Sequence, residues 1–327
     1  MRVTADDVAR AAGVSRAMVS RAFTDGASIS VAKRTHVRAV AEELGYHPNL
    51  IARGLTGSRT GLVAVVVGAV ARPYEAWLLE HLGQAVRKTG SWPLLIQVGP
   101  DDEVDSALEN ALAYQVDGAI VAAGSVSKRL AERCKSVGVP VVLVGRILND
   151  ESADSVCCDN RQGMAEIVDF LVARGRRKIA WIGGTADTFS NLERFAGLKI
   201  GLAAQGLEIF DIRQGDYSLD SGLAQGLALL TSPQLPDAIV CGNDAMAMGV
   251  VDAARRLKIA VPDQLSIVGF DDIPAAAWDP YLLTTSRNPV QETVDAALEL
   301  LVSRIADDTQ PFRSVRLAAK LVVRSSA

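Results

Sequence analysis

Apolar residues in the first 45 positions recur at helical spacing in three short segments. Thr4, with an aspartate three positions later, has the pattern of a capping box that begins a first helix. Ser15 is a candidate N-cap for a second helix, from residue 16 to about residue 23, and Ser30 for a third. Two helices separated by a short turn that contains Gly13 predict a helix-turn-helix, which places its second helix in the DNA major groove.

The outward face of the predicted second helix favours this function. Ala17, Ser20 and Arg21 lie opposite its apolar side, and Arg16 lies beside them in the first turn. Short side chains allow close approach to a groove, and an arginine can donate two hydrogen bonds to guanine. The alternative is a plain three-helix bundle, whose solvated faces more often carry long side chains of both charges.

From residue 61 onward the pattern changes to short apolar runs that alternate with amphipathic stretches. Continuous Val and Ile runs between helices are typical of parallel sheets covered on both faces. Two cycles of this pattern predict two lobes, with a ligand in the crevice at the carboxyl ends of the strands. The predicted strands are 62–67, 93–98, 118–121, 139–144, 178–182, 238–241, 265–269 and 283–286. The predicted helices are near 75–88, 102–113, 127–136, 161–174, 191–205, 220–230, 244–257 and 290–305.

Charge is distributed unevenly along the chain. The 327 residues carry a net charge of −4, but residues 1–60 hold nine Lys and Arg against five Asp and Glu. That segment is therefore +4 and the remainder −8. A basic end on an acidic body is expected when that end binds phosphate, although a solvated basic surface is the alternative. The length indicates more than one domain.

The residue content excludes several function classes. The four cysteines form no Cys-x-x-Cys motif and the chain has three histidines, so the sequence predicts no metal site, cofactor or disulfide framework. Nucleophile-elbow, P-loop and dinucleotide-binding motifs are absent, which predicts that the protein is not an enzyme. No apolar run reaches the roughly 18 residues of a membrane span. The first residues lack the apolar core of an export signal, so we expect a cytoplasmic protein.

The N-terminal segment closely resembles the headpiece of the LacI/GalR (lactose-repressor-type) family of transcription regulators. The similarity runs through TADDVARAAGVSRAMVSRAF and then IS-VAKRTHVRAVAEELGYHPNLIARGL, and continues more loosely along the chain. It implies an all-α helix-turn-helix headpiece plus an α/β, periplasmic-binding-protein-like effector domain of two doubly wound parallel-sheet lobes. The implied boundaries are 1–48 for the DNA-binding domain, 49–58 for a hinge helix and 59–327 for the effector-binding and dimerisation domain. Within that domain the implied lobes are about 59–158 with 288–318, and about 159–287 with 319–327.

The resemblance also implies roles for headpiece residues at matching positions. Arg16 and Ala17 occupy the two variable base-reading positions, and Arg21 is a further base contact. Met18 departs from the threonine that is usual in the family, which removes one hydroxyl able to bind phosphate. Phosphate contacts are implied for Thr4, Ser15, Ser20 and Lys33, the last of which replaces another common threonine.

The segment 49–56 is predicted to be a conditional helix. A helix of about eight residues is marginal in water, so we expect it to order only when it gains contacts. The resemblance implies that it binds in the minor groove, where Leu55 wedges between base pairs beside the small Ala52. A plain interdomain linker is the alternative from the residues alone.

Candidate binding residues of the body follow predicted strands. An aromatic face, a bidentate arginine and carboxylates suit a ligand rich in hydroxyl groups. Glu75 stands where the family usually has an aromatic residue, and Asp244 is expected to cap a helix. Structural roles are the alternatives: Asp271 can cap a turn and Tyr217 can simply pack. The resemblance implies an effector site formed by Tyr74, Glu75, Arg146, Arg194, Tyr217, Asn243 and Asp271.

The sequence therefore predicts a DNA-binding transcription regulator that binds a pseudo-palindromic operator as a homodimer, and the resemblance implies that it is a repressor. A small carbohydrate-like effector between the lobes is expected to control it. One alternative is a regulator of the same class that responds to a protein co-regulator or a non-sugar metabolite. Two others are a doubly wound enzyme with a helical appendage and a solute-binding receptor.

Overall fold

The computed structural model describes residues 3–24, 26–47, 59–99, 103–124, 126–148 and 152–327. The chain forms two compact units that divide after Gly61. The smaller unit is helical, and the larger contains two β-sheets. The predicted hinge segment, with Ala52 and Leu55, lies outside the described residues.

The described part of the smaller unit contains three helices, and each begins at its predicted cap. Thr4 forms a full capping box, and Ser15 and Ser30 each accept a hydrogen bond from the backbone N–H three residues on. Gly13 ends the first helix with a φ of 64°, a left-handed conformation that glycine adopts without steric cost. The helices are α1 (Ala5–Ala12), α2 (Arg16–Ala22) and α3 (Val31–Glu43).

The core of this unit is small and is reinforced by two arginines. Val8, Val19 and Val37 are buried where the three helices face one another. Arg34 and Arg38 of α3 donate hydrogen bonds of 3.0–3.3 Å to carbonyl oxygens at and just after the end of α2. Ala22 is the last residue of α2, and a carbonyl oxygen at that position lacks an intrahelical partner, so both cations bind it and oppose the negative end of the helix dipole.

The N-lobe of the larger unit is built on a six-stranded parallel sheet in the order β11-β5-β4-β3-β1-β2. Helices α4 and α11 cover one face of this sheet, and α5 and α6 cover the other. Its strands are β1 (Leu62–Val67), β2 (Trp92–Gln97), β3 (Gly118–Val121), β4 (Val141–Val144), β5 (Asp154–Cys158) and β11 (Ser314–Leu317). Its helices are α4 (Pro73–Lys88), α5 (Val104–Leu112), α6 (Lys128–Ser136) and α11 (Val290–Ala306).

The C-lobe has a second six-stranded sheet in the order β12-β10-β9-β8-β6-β7, in which only β12 runs antiparallel to its neighbour. Helices α7 and α8 cover one face, and α9 and α10 the other. Its strands are β6 (Ile179–Gly183), β7 (Ile212–Gln214), β8 (Ala238–Cys241), β9 (Ser266–Asp271), β10 (Thr284–Arg287) and β12 (Lys320–Val322). Its helices are α7 (Asn160–Ala173), α8 (Phe189–Ala204), α9 (Leu219–Leu230) and α10 (Asp244–Arg256).

The predicted strands and helices of the body are all confirmed, with ends that shift by at most two residues. The sequence missed four strands, β5, β7, β11 and β12. In β5 the polar residues Asp154 and Ser155 are fully inside the fold, where Asp154 pairs with Arg304 at 2.9 Å and Ser155 bonds to Ser314. Buried polar residues with distant partners break the apolar run, which is why the pattern did not reveal this strand.

The chain passes between the two sheets after β5, after β10 and between β11 and β12. Two of these crossing segments are joined directly. The backbone N–H of Asp159 donates to the carbonyl oxygen of Leu317 at 2.7 Å, and that of Ala319 donates to the side chain of Gln162 at 3.0 Å. Crossings that lie side by side form a natural axis for rotation of one lobe against the other.

Within the described ranges, no helix combines the length and apolar character that crossing a lipid bilayer requires.

Candidate functional site

The exposed side of α2 carries most of the predicted DNA contacts. Val19 and Ala22 are buried against the other helices, so the opposite side faces solvent. Oγ of Ser15, the N-cap residue, accepts a hydrogen bond from the backbone N–H of Met18 at 3.2 Å, which leaves the hydroxyl proton available to a phosphate. The exposed residues are Ser15, Arg16, Ala17, Ser20 and Arg21.

Thr4 and Lys33, the two other predicted phosphate contacts of the headpiece, differ in how accessible their donors are. The hydroxyl of Thr4 donates to the Asp7 carboxylate at 2.7 Å, so its only donor is occupied in the capping box. These hydrogen bonds from Thr4 lower the pKa of Asp7. Lys33 is exposed in the first turn of α3. Arg16 lies 3.8 Å from Asp6 with both side chains well exposed, an ion pair too weak to hold Arg16 away from DNA.

Arg194 of α8 lies at the centre of a buried polar cluster in the C-lobe. Its Nε–H donates to Oδ1 of Asn160 at 2.8 Å and its Nη2 to Oδ1 of Asp271 at 2.9 Å. Its Nη1 donates to the carbonyl oxygen of Gly242 at 2.6 Å, and the guanidinium lies 3.8 Å from the ring centroid of Phe270. Burial lowers the pKa of Arg194, but the groups around it, chiefly the Asp271 carboxylate and then Tyr217, Cys158 and Tyr74, together outweigh this effect, so the pKa is raised.

Asp271 ends β9, and its backbone is strained. Its φ is 119°, a region that residues other than glycine rarely adopt. Oδ1 of Asp271 also accepts from Nδ2 of Asn288 at 3.3 Å. The next residue, Asp272, pairs with Arg324 at 2.7 Å and so serves the packing of the C-terminal strand. The fold thus holds Asp271 in one orientation towards Arg194.

A second carboxylate, Asp244, is fully buried close to Asp271. It accepts hydrogen bonds from the Ile273 backbone N–H at 2.8 Å and from the Thr285 hydroxyl at 2.5 Å. Burial is the largest cause that raises the pKa of Asp244 to about 7, and the nearby charge of Asp271 adds to it. Burial and the neighbouring charge thus hold the pKa of Asp244 far above that of an exposed carboxylate.

The prediction that Asp244 caps α10 is wrong, because Asn243 takes that position. Oδ1 of Asn243 accepts from the Met246 backbone N–H at 3.0 Å, and its Nδ2 donates to the carbonyl oxygen of Tyr217 at 3.0 Å. Both ends of this amide are therefore engaged inside the protein. Asn243 positions the segment that carries Tyr217.

Tyr217 packs tightly between segments of the C-lobe and reaches the N-lobe. A Cβ atom at Gly184 would lie 2.1 Å from its ring, so only glycine fits there. Its hydroxyl bonds to Thr188 at 2.9 Å and to Ser190 at 3.3 Å. The guanidinium of the N-lobe residue Arg72 lies 5.7 Å from the ring centroid.

The N-lobe contributes the start of α4. Tyr74 and Trp77 pack against apolar residues of both lobes. Burial raises the pKa of Tyr74, and the nearby charge of Asp271 adds to this effect. Burial also raises the pKa of Glu75, whose carboxylate lies 3.9 Å from Arg72. Tyr74 and Glu75 therefore lie within electrostatic range of the C-lobe cluster.

Arg146 stands apart from the other predicted residues. It follows β4 and is half-buried, and this burial lowers its pKa. In the part of the chain that the structure describes, no hydrogen bond or salt bridge joins Arg146 to the other six predicted effector residues. Nor do the described residues contain a cluster of three His, Cys, Asp or Glu side chains placed to hold a metal ion.

The sequence did not reveal two polar residues of this cluster, Asn160 and Asn288, or the N-lobe residue Arg72 beside Tyr217. Asn160 lies just beyond the end of β5 and Asn288 just beyond β10. A position just after a strand is the criterion by which the other candidate residues were predicted. Asn160 escaped notice because β5 itself was not predicted. Arg72 precedes α4, and its position in the sequence carries no signal that it reaches Tyr217 in the other lobe.

Comparison with known proteins extends the similarity to the whole chain. Residues 4–49 match the description "Bacterial regulatory proteins, lacI family", and residues 168–327 match "Periplasmic binding protein-like domain". Catabolite control protein A of Priestia megaterium is 32% identical over 332 residues, which cover 100% of this chain and 99% of the relative.

Two solved structures share the fold over its full length. The lac repressor dimer bound to operator and the anti-inducer ONPF has a TM-score of 0.89 at 26% identity, covering 100% of this chain and 99% of that one. The regulator CelR in complex with cellobiose has a TM-score of 0.73 at 31% identity, covering 100% of both chains. The resemblance and the fold class predicted from the sequence are thereby confirmed. The chain is a DNA-binding transcription regulator under effector control, and it belongs to the LacI family.

Proposed function

We propose that the protein is a repressor that binds a pseudo-palindromic operator as a homodimer and is controlled by a carbohydrate-like effector between its lobes. The observation that carries the effector class is the Arg194–Asp271 pair, with two tyrosines beside it. The cellobiose complex of the related CelR supports a carbohydrate. The proposal assigns the protein to the cytoplasm and gives it no catalytic role.

The unused hydrogen-bonding capacity of the cluster suits paired hydroxyl groups. A guanidinium has five N–H donors, and three hydrogen bonds join Arg194 to protein atoms among the described residues, so two donors have no partner there. Both hydrogen bonds described for the Asp271 carboxylate go to Oδ1, so Oδ2 can accept from a ligand. Neighbouring hydroxyls of a sugar can accept hydrogen bonds from the Arg194 guanidinium and donate to the Asp271 carboxylate. Tyr217 and Tyr74 supply aromatic surface for the apolar face of the sugar ring.

The proposed effector class is tested by a thermal-shift screen of the full-length protein against neutral sugars and sugar phosphates. A ligand present at 100 times its Kd stabilises the folded state by about 2.7 kcal/mol, which is readily detected as a higher Tm. We expect at least one sugar to raise Tm and to change operator affinity. If operator DNA binds but no sugar changes Tm or affinity, the carbohydrate proposal fails and a protein co-regulator or another metabolite is favoured.

A substitution on α2 tests the proposed DNA contacts. Arg16→Ala should weaken discrimination at one operator base pair by about 1–3 kcal/mol, because a bidentate contact to guanine is lost. Binding-site selection followed by fluorescence anisotropy measures this change. Arg10→Ala is the control, because Arg10 is equally exposed but lies on α1 and pairs with Asp7. Unchanged base preference in Arg16→Ala would remove Arg16 from the base-reading role.

A further inference from the structure

A buried carboxylate lies at the junction between the two lobes. Glu193 of α8 has a side chain that is only 11% exposed. Its Oε1 accepts from Nε and Nη2 of Arg161 at 3.0 and 2.7 Å. Its Oε2 accepts from Nη1 of Arg316 at 3.1 Å. Each carboxylate oxygen thus serves one arginine.

The two arginines belong to different lobes. Arg161 is in the first turn of α7, which packs beside α8 in the C-lobe. Arg316 is in β11, the edge strand of the N-lobe sheet, where it is paired with Cys157 of β5. The Arg161–Glu193 contact therefore stays within one lobe, whereas the Arg316–Glu193 contact joins the two lobes.

This junction is continuous with the Arg194 cluster. Glu193 precedes Arg194 on α8, and Arg161 follows Asn160, the residue that accepts from Arg194. Two contacts therefore join α7 to α8: the Arg194–Asn160 hydrogen bond and the Arg161–Glu193 ion pair. Arg316 connects Glu193 to the N-lobe, next to the crossing segment that follows β11.

We propose that Glu193 is a positioning residue that holds the N-lobe strand β11 against the helix carrying Arg194 and thereby sets the angle between the lobes. A carboxylate that is largely withdrawn from water is weakly screened, so its ion pairs are stronger than exposed ones. Rotation of the lobes about their crossings has to change the Arg316–Glu193 distance. The Arg161–Glu193 distance is unaffected, because both residues move with the C-lobe.

Hydrogen exchange of the full-length protein, without ligand, tests this role. In Arg316→Gln the amides of Asp159 and Ala319, which join the crossing segments, should exchange about fivefold faster or more, because these segments open more often. Arg161→Gln is the matched control: it removes the other arginine from the same carboxylate but leaves the interlobe contact. In that variant these two amides should stay within about twofold of the parent protein. Glu193 keeps one partner in either variant, so both should fold.

Two further variants separate charge from packing. Arg316→Lys retains the positive charge and should restore the exchange of both amides to within about twofold of the parent protein. In a Glu193→Gln background, Arg316→Gln should add no further acceleration, since its partner is already gone. The proposal is overturned if Arg161→Gln and Arg316→Gln accelerate the crossing amides equally, if neither does so, or if Arg316→Lys behaves like Arg316→Gln.

Discussion

Replacing Arg194 with alanine is expected to abolish effector binding and to lower the free energy of unfolding by about 3–5 kcal/mol. The loss is large because the substitution leaves the buried Asp271 carboxylate without its cation and Asn160 without its donor. Urea denaturation measures the stability change, and titration calorimetry with a sugar found in the thermal-shift screen measures binding. Operator affinity should persist below the melting temperature, because the headpiece has its own core.

Two comparisons make the Arg194 prediction specific. The double variant Arg194→Ala/Asp271→Asn should lose less stability than the sum of the single variants, since no uncompensated charge is left in the core. Arg255→Ala removes an arginine from a partly exposed ion pair with Asp252 and should cost only about 0–1 kcal/mol. If Arg194→Ala binds the sugar with parent affinity, Arg194 does not belong to the effector site.

Substituting Asp244 with asparagine is expected to flatten the pH dependence of stability between about pH 4 and 7. The pKa of Asp244 is raised to about 7 in the folded protein, from an ordinary value of 3.8. In this window the folded protein keeps a proton that the unfolded chain releases, so stability falls as pH rises. This single group contributes a loss on the order of 3 kcal/mol across the window.

The amide of asparagine can retain the hydrogen-bonding geometry at this position. Its oxygen can accept from the Ile273 N–H, and the Thr285 hydroxyl can rotate to accept from its nitrogen. Asp244→Asn should therefore be more stable than the parent protein at pH 7.5 and similar to it at pH 4.5, as measured by urea denaturation. Asp220→Asn, at the exposed start of α9, is the control and should keep the parent slope. A parent-like slope in Asp244→Asn would show that this carboxyl does not titrate in the window.

Sequence reasoning succeeded in the headpiece because its determinants are local. The Thr4, Ser15 and Ser30 caps each act on a backbone group three residues away, and Gly13 terminates a helix by its own conformational freedom. The same locality explains why the apolar runs of the body predicted its main strands and helices. The pattern and spacing of neighbouring residues were therefore sufficient to predict these helices and strands.

The polar cluster around Arg194 was only partly predictable from the sequence. Arg194, Tyr217 and Asp271 were predicted as site residues, and the structure brings them close together, while their role towards an effector stays a prediction. Asn160 was missed, and the helix cap expected at Asp244 is Asn243. Which of Asn243 and Asp244 caps the helix depends on the surroundings of each side chain. The Asp244 carboxylate instead accepts hydrogen bonds from donors on β10 and on the segment after β9.

By itself, the sequence determined the helix-turn-helix, the alternation of strands and helices and the basic character of the N-terminal segment. Each of these follows from residues within a few positions of one another. Only the tertiary structure decided that Glu193 joins the lobes through Arg316, that Asp154 is neutralised by Arg304 and that Arg72 lies over Tyr217. These contacts join residues that are more than 120 positions apart in the chain. Their energies depend on burial, which no local pattern of residues specifies.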